Sequence, residues 1–450
     1  MPMLSDQSPA NFNDPLPDRV DVVIIGGGVA GVSTAWFLAK AGVSVLICEK
    51  GRVAGEQSSR NWGWVRQQGR DAAELPIMMD SINSWESIAR EVGDEIGFSR
   101  QGILYLGRNE SELAESEKWL DVARPHQLDS RMISAKEVED LMPDAGGRWK
   151  GALYTPSDGR AEPFTAVPAM ARHLVQQGVA IRENCAVRSL DVEAGKVSGV
   201  ITEHGRVRAG SVVCAGGAWS TVFLGNLNVK LPQLTVRSTV ARTQPGPDVF
   251  SGAAAGGGVA IRRRADGGYT IAPGGLGEHF LAADSFRYFF KYLPVLRRSS
   301  RDLHIKTVQQ FVADDSLVKR LLPTRHWSPD DTTPFEKNRV LNPTPSPGGV
   351  VQMRNQLQKY MPALGEVPFI EAWAGMIDVT PDVVPVMDQV EAYPGLYIAT
   401  GFSGHGFGFG PGAGRVMANM VLGKQSEYDL KRFRLSRFTD GSKMIPGPGL

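Results

Sequence analysis

The chain is poor in cysteine, in clustered histidine and in charge of one sign. Its 450 residues include only three cysteines, Cys48, Cys185 and Cys214, with no C-x-x-C pair. This excludes a disulfide framework and a thiolate zinc site, and it favours a reducing compartment. The seven histidines show no metal-ligand spacing, so no metal site is expected. With 49 basic and 48 acidic residues, no charge excess exists to drive binding to nucleic acid.

Long apolar runs are absent as well. No stretch of about 18 uncharged apolar residues occurs, so we expect no transmembrane segment. Residues 1–18 are polar and lack the basic and apolar regions of a signal peptide, and we therefore expect a cytoplasmic protein. A hydrophobic content of 42% supplies material for a full core and excludes bulk disorder. The length fits up to three domains or one large two-domain enzyme.

Glycine, by contrast, is abundant: 51 of the 450 residues are glycine, which exceeds the usual share of ~7%. Part of this excess lies between a short β-branched run at 19–25 and a helical pattern over 29–40. A second strand-like run follows at 44–49. This order is that of a βαβ unit, which predicts a parallel, doubly wound sheet.

The turn of this unit carries G-x-G-x-x-G at Gly26, Gly28 and Gly31. The first glycine permits a tight turn, the second lets a pyrophosphate approach the backbone, and the third lets helix and strand pack closely. The pyrophosphate then lies at the positive end of the helix. Glu49 ends the second strand, where a carboxylate can accept hydrogen bonds from ribose hydroxyls. The pattern predicts a dinucleotide site without deciding between NAD and FAD.

Other segments give coarser expectations. Residues 110–142 are predicted to be mostly helical, and a further helix is expected at 414–422. Residues 262–264, three consecutive arginines, are predicted to lie on a solvated strand edge. The Pro-rich segment 343–347 is predicted to be a surface loop, and residues after about 436 a loose tail.

Two more glycine-rich segments resemble a known superfamily. Residues 211–220 read S-V-V-C-A-G-G-A-W-S, similar to the strand and A-G-x-W-S element of FAD enzymes of the D-amino-acid oxidase/glycine oxidase superfamily. Residues 395–406, G-L-Y-I-A-T-G-F-S-G-H-G, resemble its closing motif. The resemblance covers about residues 18–430. It implies FAD as cofactor, a Rossmann-type FAD-binding domain with a doubly wound parallel sheet, and an α+β substrate domain on a mostly antiparallel sheet.

A closer resemblance is to bacterial L-amino acid deaminases within that superfamily. It rests on A-G-E-Q-S at 54–58, N-C-A-V-R at 184–188, A-G-G-A-W-S at 215–220 and T-P-F-E at 333–336. Those relatives carry an N-terminal membrane helix that is not found in these 450 residues. The resemblance implies oxidation of a C–N bond: hydride passes to flavin N5, and the imine is hydrolysed to a keto acid or an aldehyde (oxidative deamination).

The resemblance also implies which residues contact the cofactor. Asn61 stands where some relatives attach the flavin to a histidine, and the C-terminal third has no cysteine, so FAD is expected to be noncovalent. The expected cofactor-binding residues are Gly26, Gly28, Val29, Ala30, Gly31, Glu49, Lys50, Gln57, Ser58, Ser59, Asn61, Trp62, Gly63, Val187, Ala215, Gly216, Gly217, Trp219, Gly375, Gly401, Gly404, His405, Gly406, Phe407 and Gly408.

Three residues are candidates for catalysis. Arg66 offers a guanidinium fork for a substrate carboxylate, although a solvated or phosphate-facing arginine fits the pattern equally well. His405, on a glycine loop at a helix entrance, can take part in proton transfer or contact the cofactor. Trp373 is the third candidate. Trp62 and Trp64 are interpreted either as the wall of an aromatic pocket or as packing residues.

Residues 373–382 depart from the superfamily pattern. D-amino-acid and glycine oxidases have an arginine in G-L-R-P-x-T-P-D that binds the substrate carboxylate, and Ile377 occupies that position here. Either Arg66, Arg237 or Arg262 replaces that arginine, or the substrate is an amine without an α-carboxylate. Asp378 replaces the family's proline, and it can pair with a substrate cation or form a structural hydrogen bond.

The predicted function is FAD-dependent oxidation of an amino acid or related amine. The alternatives are a sarcosine-type (N-demethylating) or cyclic-amine oxidase or dehydrogenase, a 2-hydroxy-acid dehydrogenase on the same fold, and a flavin-bearing subunit of a heteromeric dehydrogenase. The expected partners are a small substrate and oxygen or a quinone as electron acceptor, with a homo-oligomer possible. The predicted domains are FAD-binding segments 18–100, 151–227 and 369–435, substrate segments 101–150 and 228–368, and a tail at 436–450.

Overall fold

The computed structural model describes residues 3–143, 148–275, 277–298, 303–306 and 326–447. Its strands are β1 (Val22–Ile25), β2 (Val45–Cys48), β3 (Trp64–Val65), β4 (Ser99–Arg100), β5 (Ile103–Gly107), β6 (Arg131–Ser134), β7 (Gly151–Thr155), β8 (Gly159–Arg160), β9 (Ala180–Arg182), β10 (Val187–Glu193), β11 (Lys196–Thr202), β12 (Gly205–Arg208), β13 (Ser211–Cys214), β14 (Leu234–Thr243), β15 (Ala253–Gly256), β16 (Val259–Arg263), β17 (Tyr269–Pro273), β18 (Gly277–Phe280), β19 (Leu303–Lys306), β20 (Phe369–Val379), β21 (Val386–Gln389) and β22 (Leu396–Thr400).

Helices connect these strands and cover the sheets. They are α1 (Val29–Lys40), α2 (Gln57–Arg60), α3 (Leu75–Val92), α4 (Glu110–Lys118), α5 (Leu120–Ala123), α6 (Ala135–Leu141), α7 (Pro163–Gln176), α8 (Ser220–Asn226), α9 (Ala283–Arg287), α10 (Phe289–Arg298), α11 (Pro334–Lys337), α12 (Pro347–Tyr360), α13 (Pro362–Gly365) and α14 (Gly406–Val421).

A six-stranded sheet carries the glycine-rich loop. Its strand order is β21-β22-β13-β1-β2-β9, and all neighbours are parallel except the edge pair β21–β22. Strands β1 and β2 consist entirely of apolar residues, as expected of strands with both faces covered. The predicted βαβ unit is confirmed: α1, a helix of 12 residues, connects β1 to β2.

A second, ten-stranded sheet forms the other half of the molecule. Its order is β19-β18-β14-β17-β16-β15-β5-β7-β6, and β20 pairs with β14 off this path. The neighbours are antiparallel except β18–β19 and β15–β5. Two small antiparallel sheets, β10-β11-β12 and β3-β8-β4, complete the fold. The predicted fold class, a doubly wound sheet beside a mostly antiparallel one, is confirmed.

Strand pairing differs from the predicted domain boundaries at two places. Strand β7 pairs with β5 and β6, and β20 pairs with β14, so both belong to the larger sheet. The sequence pattern placed residues 151–155 and 369–379 in the FAD-binding segments. The boundaries 151 and 369 therefore do not coincide with changes of sheet, and the division into domains stays a proposal.

Three predicted elements are corrected by the structure. Residues 131–134, inside the predicted helical stretch 110–142, form strand β6, because they pair with β7. Helix α14 begins at Gly406, eight residues before the predicted start at 414. The segment 343–347 is not simply a surface loop: Ser346 is buried, and its hydroxyl caps α12 by accepting a hydrogen bond from the amide of Gly349.

The predictions for the arginine run and for the tail are also corrected. Arg262 is 1% exposed, because its guanidinium donates to Glu162 over 2.7 Å. Residues 437–447 are attached to the fold: Arg437 pairs with Asp382 in a buried position, and the amide of Gly447 donates to the Asp382 carbonyl. The last three residues of the predicted tail, 448–450, lie outside the described residues. Both corrections come from ion pairs between residues far apart in sequence.

Helix α14 lies against α1 and α3 at backbone distance. A Cβ at Gly410 would be 2.5 Å from Cγ2 of Val29, and one at Gly414 would be 2.5 Å from the carbonyl carbon of Ser33. A Cβ at Gly412 would be 2.6 Å from the carbonyl oxygen of Ile77. Ordinary carbon contacts need about 3.5–4.0 Å. These glycines therefore serve helix packing.

The same constraint predicts the effect of Gly31→Ala. A Cβ at this position would lie 2.1 Å from the carbonyl oxygen of Gly26, and backbone cannot rotate away as a side chain can. We expect a loss of about 1–3 kcal/mol in the free energy of unfolding, measured by urea titration. Gly348→Ala is the control, since nothing lies within 4 Å of its added Cβ. Equal stability of the two variants would contradict the packing argument.

Candidate active site

A cavity of about 900 Å³ lies where the two large sheets meet. Its walls include the last residues of β1, β2 and β13 and residues of β22, and from the other side residues of β14 and β20. In open α/β sheets, ligands bind at the carboxyl ends of the parallel strands. The cavity therefore occupies the position where the fold favours a nucleotide.

The glycine-rich loop forms one wall of this cavity. Gly26 has a φ of +109°, and a Cβ there would lie 2.5 Å from the carbonyl oxygen of Ala215, so only glycine fits. The amide of Val29 donates to the hydroxyl of Ser58 over 2.9 Å, which fixes the start of α1 against α2. Gly28, Val29 and Ala30 line the cavity, so the positive end of α1 faces it.

Glu49 fastens this loop to the end of β2. Its carboxylate accepts hydrogen bonds of 2.7 Å each from the amides of Gly27 and Gly51. Burial raises the pKa of Glu49 to about 6, while Lys50 and the two amides favour the charged form. The side chain also lines the cavity. A carboxylate at this position can bind hydroxyl donors and disfavours an additional phosphate.

A cluster around Lys50 attaches a distant segment to the same wall. The Lys50 ammonium donates to Glu56 over 2.7 Å and to the carbonyls of Asn338 and Arg339. It also lies 4.4 Å from the ring centroid of Trp219, whose indole N–H donates to Glu56. The cavity wall thereby gains Phe335, Arg339 and Val340, which the site prediction missed. The T-P-F-E stretch at 333–336 was the available signal.

The other end of the cavity has an aromatic wall. The rings of Trp62 and Trp64 are 5.6 Å apart, and Trp64 is 6.2 Å from Tyr105. The Trp62 carbonyl accepts a 2.6 Å hydrogen bond from Arg262, which fixes this segment. The Arg66 guanidinium lies 5.7 Å from the Tyr105 ring centroid and uses one nitrogen to bind the carbonyl of Gln68. An arginine over one ring of an aromatic wall suits an anionic group on an apolar substrate.

Residues 404–408 close the cavity beside this wall. They contain the first residues of α14, so a second helix N-terminus faces the cavity. Asp378 also lines the cavity, and it accepts hydrogen bonds from the amide of Gly401 and from the side chain of Gln233. Burial raises the pKa of Asp378 to about 6. Asp378 therefore forms structural hydrogen bonds, which was one of the two interpretations of this residue from the sequence.

Most residues of the predicted site line the cavity, and five do not. The exceptions are Gly31, Ser59, Gly63, Gly401 and Trp373. Gly31 and Gly63 serve close packing, the latter against the carbonyl of Ala161. The hydroxyl of Ser59 donates to the Glu56 carbonyl, and the amide of Gly401 donates to Asp378.

Trp373 is withdrawn as a catalytic candidate. It is 3% exposed and packs edge-on against Phe164, with ring centroids 5.2 Å apart. Its indole N–H donates to the carbonyl of Arg60. The side chain therefore points away from the cavity, and it holds α2 against the larger sheet.

The structure separates the three arginines proposed to replace the missing carboxylate ligand. Arg237 pairs with Glu278 over 2.7 Å, and Arg262 pairs with Glu162. Neither lines the cavity, whereas Arg66 does, as does Ile377 at the position of the family arginine. Of these three candidates, Arg66 alone can reach a ligand in the cavity.

The described ranges contain no group of three or more His, Cys, Asp or Glu side chains that could hold a metal ion. Nor does any helix in them combine the length and the apolar character needed to cross a membrane.

Comparison with known proteins agrees with this geometry. The profile of the family described as "DAO: FAD dependent oxidoreductase" matches residues 21–420. The L-amino acid deaminase of Proteus myxofaciens, solved in complex with anthranilate, is 31% identical, with a TM-score of 0.90 over 97% of this chain and 98% of that one. The L-amino acid deaminase of Proteus vulgaris is 31% identical, with a TM-score of 0.88 over 97% and 100%.

Among curated proteins, sarcosine oxidase subunit beta of an Arthrobacter species is 24% identical, over 94% of this chain and 91% of its own length. The mitochondrial sarcosine dehydrogenase of Mus musculus is 23% identical over 97% of this chain, which spans only 44% of that protein. The cavity and fold define a dinucleotide-dependent oxidoreductase. The family match is specific: the chain belongs to the FAD-dependent oxidoreductases, and its relatives include amino acid and amine oxidising enzymes.

The residues present fit FAD. Only glycine can occupy position 26, α1 presents its N-terminus to the cavity, and the Glu49 carboxylate stands at the end of β2. Together these supply backbone donors for a pyrophosphate and an acceptor for ribose hydroxyls. The cavity continues from this cradle to the aromatic wall without a break, which leaves room for the flavin and a substrate.

Glu49→Ala tests the cradle. The substitution leaves the amides of Gly27 and Gly51 without their acceptor and removes the carboxylate expected to accept from ribose hydroxyls. We expect the dissociation constant of FAD to rise about 10- to 100-fold, measured by the fluorescence of released FAD. Glu193→Ala, which removes an exposed glutamate at the end of β10, is the matched control. An unchanged FAD affinity in Glu49→Ala would contradict the assignment.

Proposed function

We propose that this protein uses noncovalently bound FAD to oxidise the C–N bond of an α-amino acid, which yields a keto acid and ammonia after hydrolysis. The observation that carries the proposal is one continuous cavity that joins the nucleotide cradle to Arg66 and the aromatic wall. The full-length likeness to L-amino acid deaminases at 31% identity supports it.

The cofactor is proposed to lie along the cavity. Gly26, Gly28 and Glu49 would hold the pyrophosphate and ribose, with the Lys50–Trp219 cluster beside the adenosine half. Residues 57–62 and 404–408 would border the isoalloxazine. Asn61, at the position of covalent attachment in some relatives, uses its side-chain oxygen to accept from the amide of Gly63 and has no nucleophile to offer. This supports a noncovalent flavin.

The side chains around the aromatic wall would bind and orient the substrate. Arg66 would bind the α-carboxylate, and Trp62, Trp64 and Tyr105 would surround an apolar side chain and exclude water. FAD, when bound, supplies a hydride acceptor for the C–H bond next to nitrogen. His405, 4% exposed at the cavity wall, is the titratable group proposed to hold a proton near the reacting nitrogen.

A second candidate is N-demethylation of a secondary amino acid. The likeness to sarcosine oxidase subunit beta over 94% of this chain favours it. That relative's name also keeps open the role of a flavin-bearing subunit whose partner takes the electrons. Formaldehyde release distinguishes demethylation from deamination. Hydrogen peroxide release by the isolated chain would argue against the subunit role and identify oxygen as acceptor; the alternative acceptor is a quinone.

Anaerobic bleaching of the flavin tests the proposed reaction. The purified flavoprotein is mixed with L- and D-amino acids, N-methyl amino acids, cyclic amines and 2-hydroxy acids, and its absorbance near 450 nm is followed. We expect bleaching by amino acids with apolar or aromatic side chains. Failure of every amino acid and amine to reduce the flavin would exclude the proposal, and bleaching by 2-hydroxy acids alone would favour the 2-hydroxy-acid dehydrogenase.

Arg66→Lys tests carboxylate binding. Lysine keeps the charge but loses the bidentate fork, so kcat/KM for an amino acid should fall about 10- to 100-fold. The matched amine without a carboxylate should be unaffected. Arg131→Lys is the control, because Arg131 makes the same type of contact, 5.9 Å from the Tyr154 ring, at the surface. An equal loss for amine and amino acid would contradict the carboxylate assignment.

Acid precipitation tests the attachment of the flavin. Because Asn61 cannot form a covalent bond to the flavin, the yellow colour is expected to remain in the supernatant. Absorbance near 450 nm in the supernatant and in the redissolved pellet measures the two fractions. Colour retained by the pellet would show a covalent flavin.

A further inference from the structure

Glu74 is a buried carboxylate that the proposed reaction does not use. It immediately precedes α3, is 0% exposed, and neither of its oxygens has a hydrogen-bond partner. Burying a carboxylate without such partners is costly. The other buried carboxylates of the site, Glu49 and Asp378, accept hydrogen bonds from backbone amides. Glu74 therefore differs from them and needs another explanation.

The neighbour of Glu74 at the cavity is His405. The Oε2 atom of Glu74 lies 3.6 Å from Nδ1 of His405, at ion-pair distance. Glu74 stands at the start of α3 and His405 at the start of α14, and the two helices are locked together. The hydroxyl of Ser81 and the indole N–H of Trp85 both donate to the carbonyl of Gly408. The pair is thus held by fixed backbone rather than by flexible loops.

The charged groups around the pair come from three segments. Arg66 and Arg70 precede α3, and Arg70 is buried with one guanidinium nitrogen unpaired. Arg432 approaches from the C-terminal segment and pairs with Asp71, and Asp382 follows β20 and pairs with Arg437. Burial raises the pKa of Glu74 to about 7, with the three arginines opposing and Asp382 adding to the effect. Glu74 thus changes charge near neutral pH.

We propose that Glu74 is a positioning residue for His405: its carboxylate, at ion-pair distance, orients the imidazole at the cavity wall and favours a proton on the ring. Two titratable groups this close titrate as a pair. The imidazole lines the cavity and the carboxylate lies behind it, so Glu74 acts on the reaction through His405. The inference rests on the proposed function only for its kinetic consequence, since the pairing itself is a property of the folded chain.

Histidine titration by NMR in the holoenzyme tests the pairing. The protein is labelled on its histidine rings, and His405→Asn assigns the resonance. In Glu74→Gln, which keeps the shape and removes the charge, the apparent pKa of His405 should fall by at least about one unit. Glu91→Gln is the matched control: Glu91 pairs with His173 over 3.2 Å at the surface, so His405 should titrate as in the wild type.

The pH profile of anaerobic flavin reduction is the second readout. Glu74→Gln should lower the apparent pKa of this profile by the same amount as it lowers the pKa of His405 in the NMR titration. Glu74→Asp should restore the wild-type value in part. Should Glu74→Gln fail to fold, Glu74→Asp, with its longer gap to the imidazole, must still shift the His405 titration. An unchanged titration in a folded Glu74 variant would overturn the inference. If no substrate reduces the flavin, the proposed function fails while the NMR titration still decides the pairing.

Discussion

Close approach between backbone segments is the constraint on which this structure depends. The carbonyl oxygens of Gly26, Ile77 and Ala215 each lie where the Cβ of another residue would be. This brings the glycine-rich loop, α1, α3 and α14 together at distances that no larger side chain allows. Both helix N-termini then face one cavity, and their dipoles add at the same place. The cofactor cradle is consequently built from main-chain atoms, and its shape follows from packing.

Buried carboxylates extend this constraint to segments remote in sequence. Glu49 joins the loop at Gly27 to the end of β2, Glu56 joins α2 to the segment at 341, and Asp378 holds the turn at Gly401. Each accepts backbone N–H groups, and such bonds offset the cost of burying the charge. Glu74 has no such bonds. A carboxylate placed beside a histidine instead of beside amides can change its charge without loosening a loop.

The parts of the fold that depend on local patterns were predicted from the sequence, and the parts that depend on distant pairing were not. Strands β1 and β2 with α1 follow from an apolar run, three glycines and a helical period, all between Val22 and Cys48. The burial of Arg262 depends on Glu162, 100 residues away, and the Glu74–His405 contact joins segments more than 300 residues apart. Sequence pattern carries no signal for such pairs, because each residue alone looks solvated.

Main-chain atoms form the cofactor cradle, whereas side chains form the proposed substrate site. Similarity of fold therefore does not identify the substrate. A cradle of main-chain atoms tolerates substitution elsewhere as long as its glycines remain, and the same fold accordingly occurs at 31% identity. The proposed substrate site, by contrast, consists of a few side chains that line the cavity: Arg66, the aromatic wall, and Ile377 in place of an arginine. Changing one of these alters recognition without disturbing the packing beneath. On the proposed assignment, substrate choice depends on the segment around Arg66. The buried Arg262–Glu162 pair fixes this segment through the Trp62 carbonyl, so the segment can hold a new side chain in a defined place.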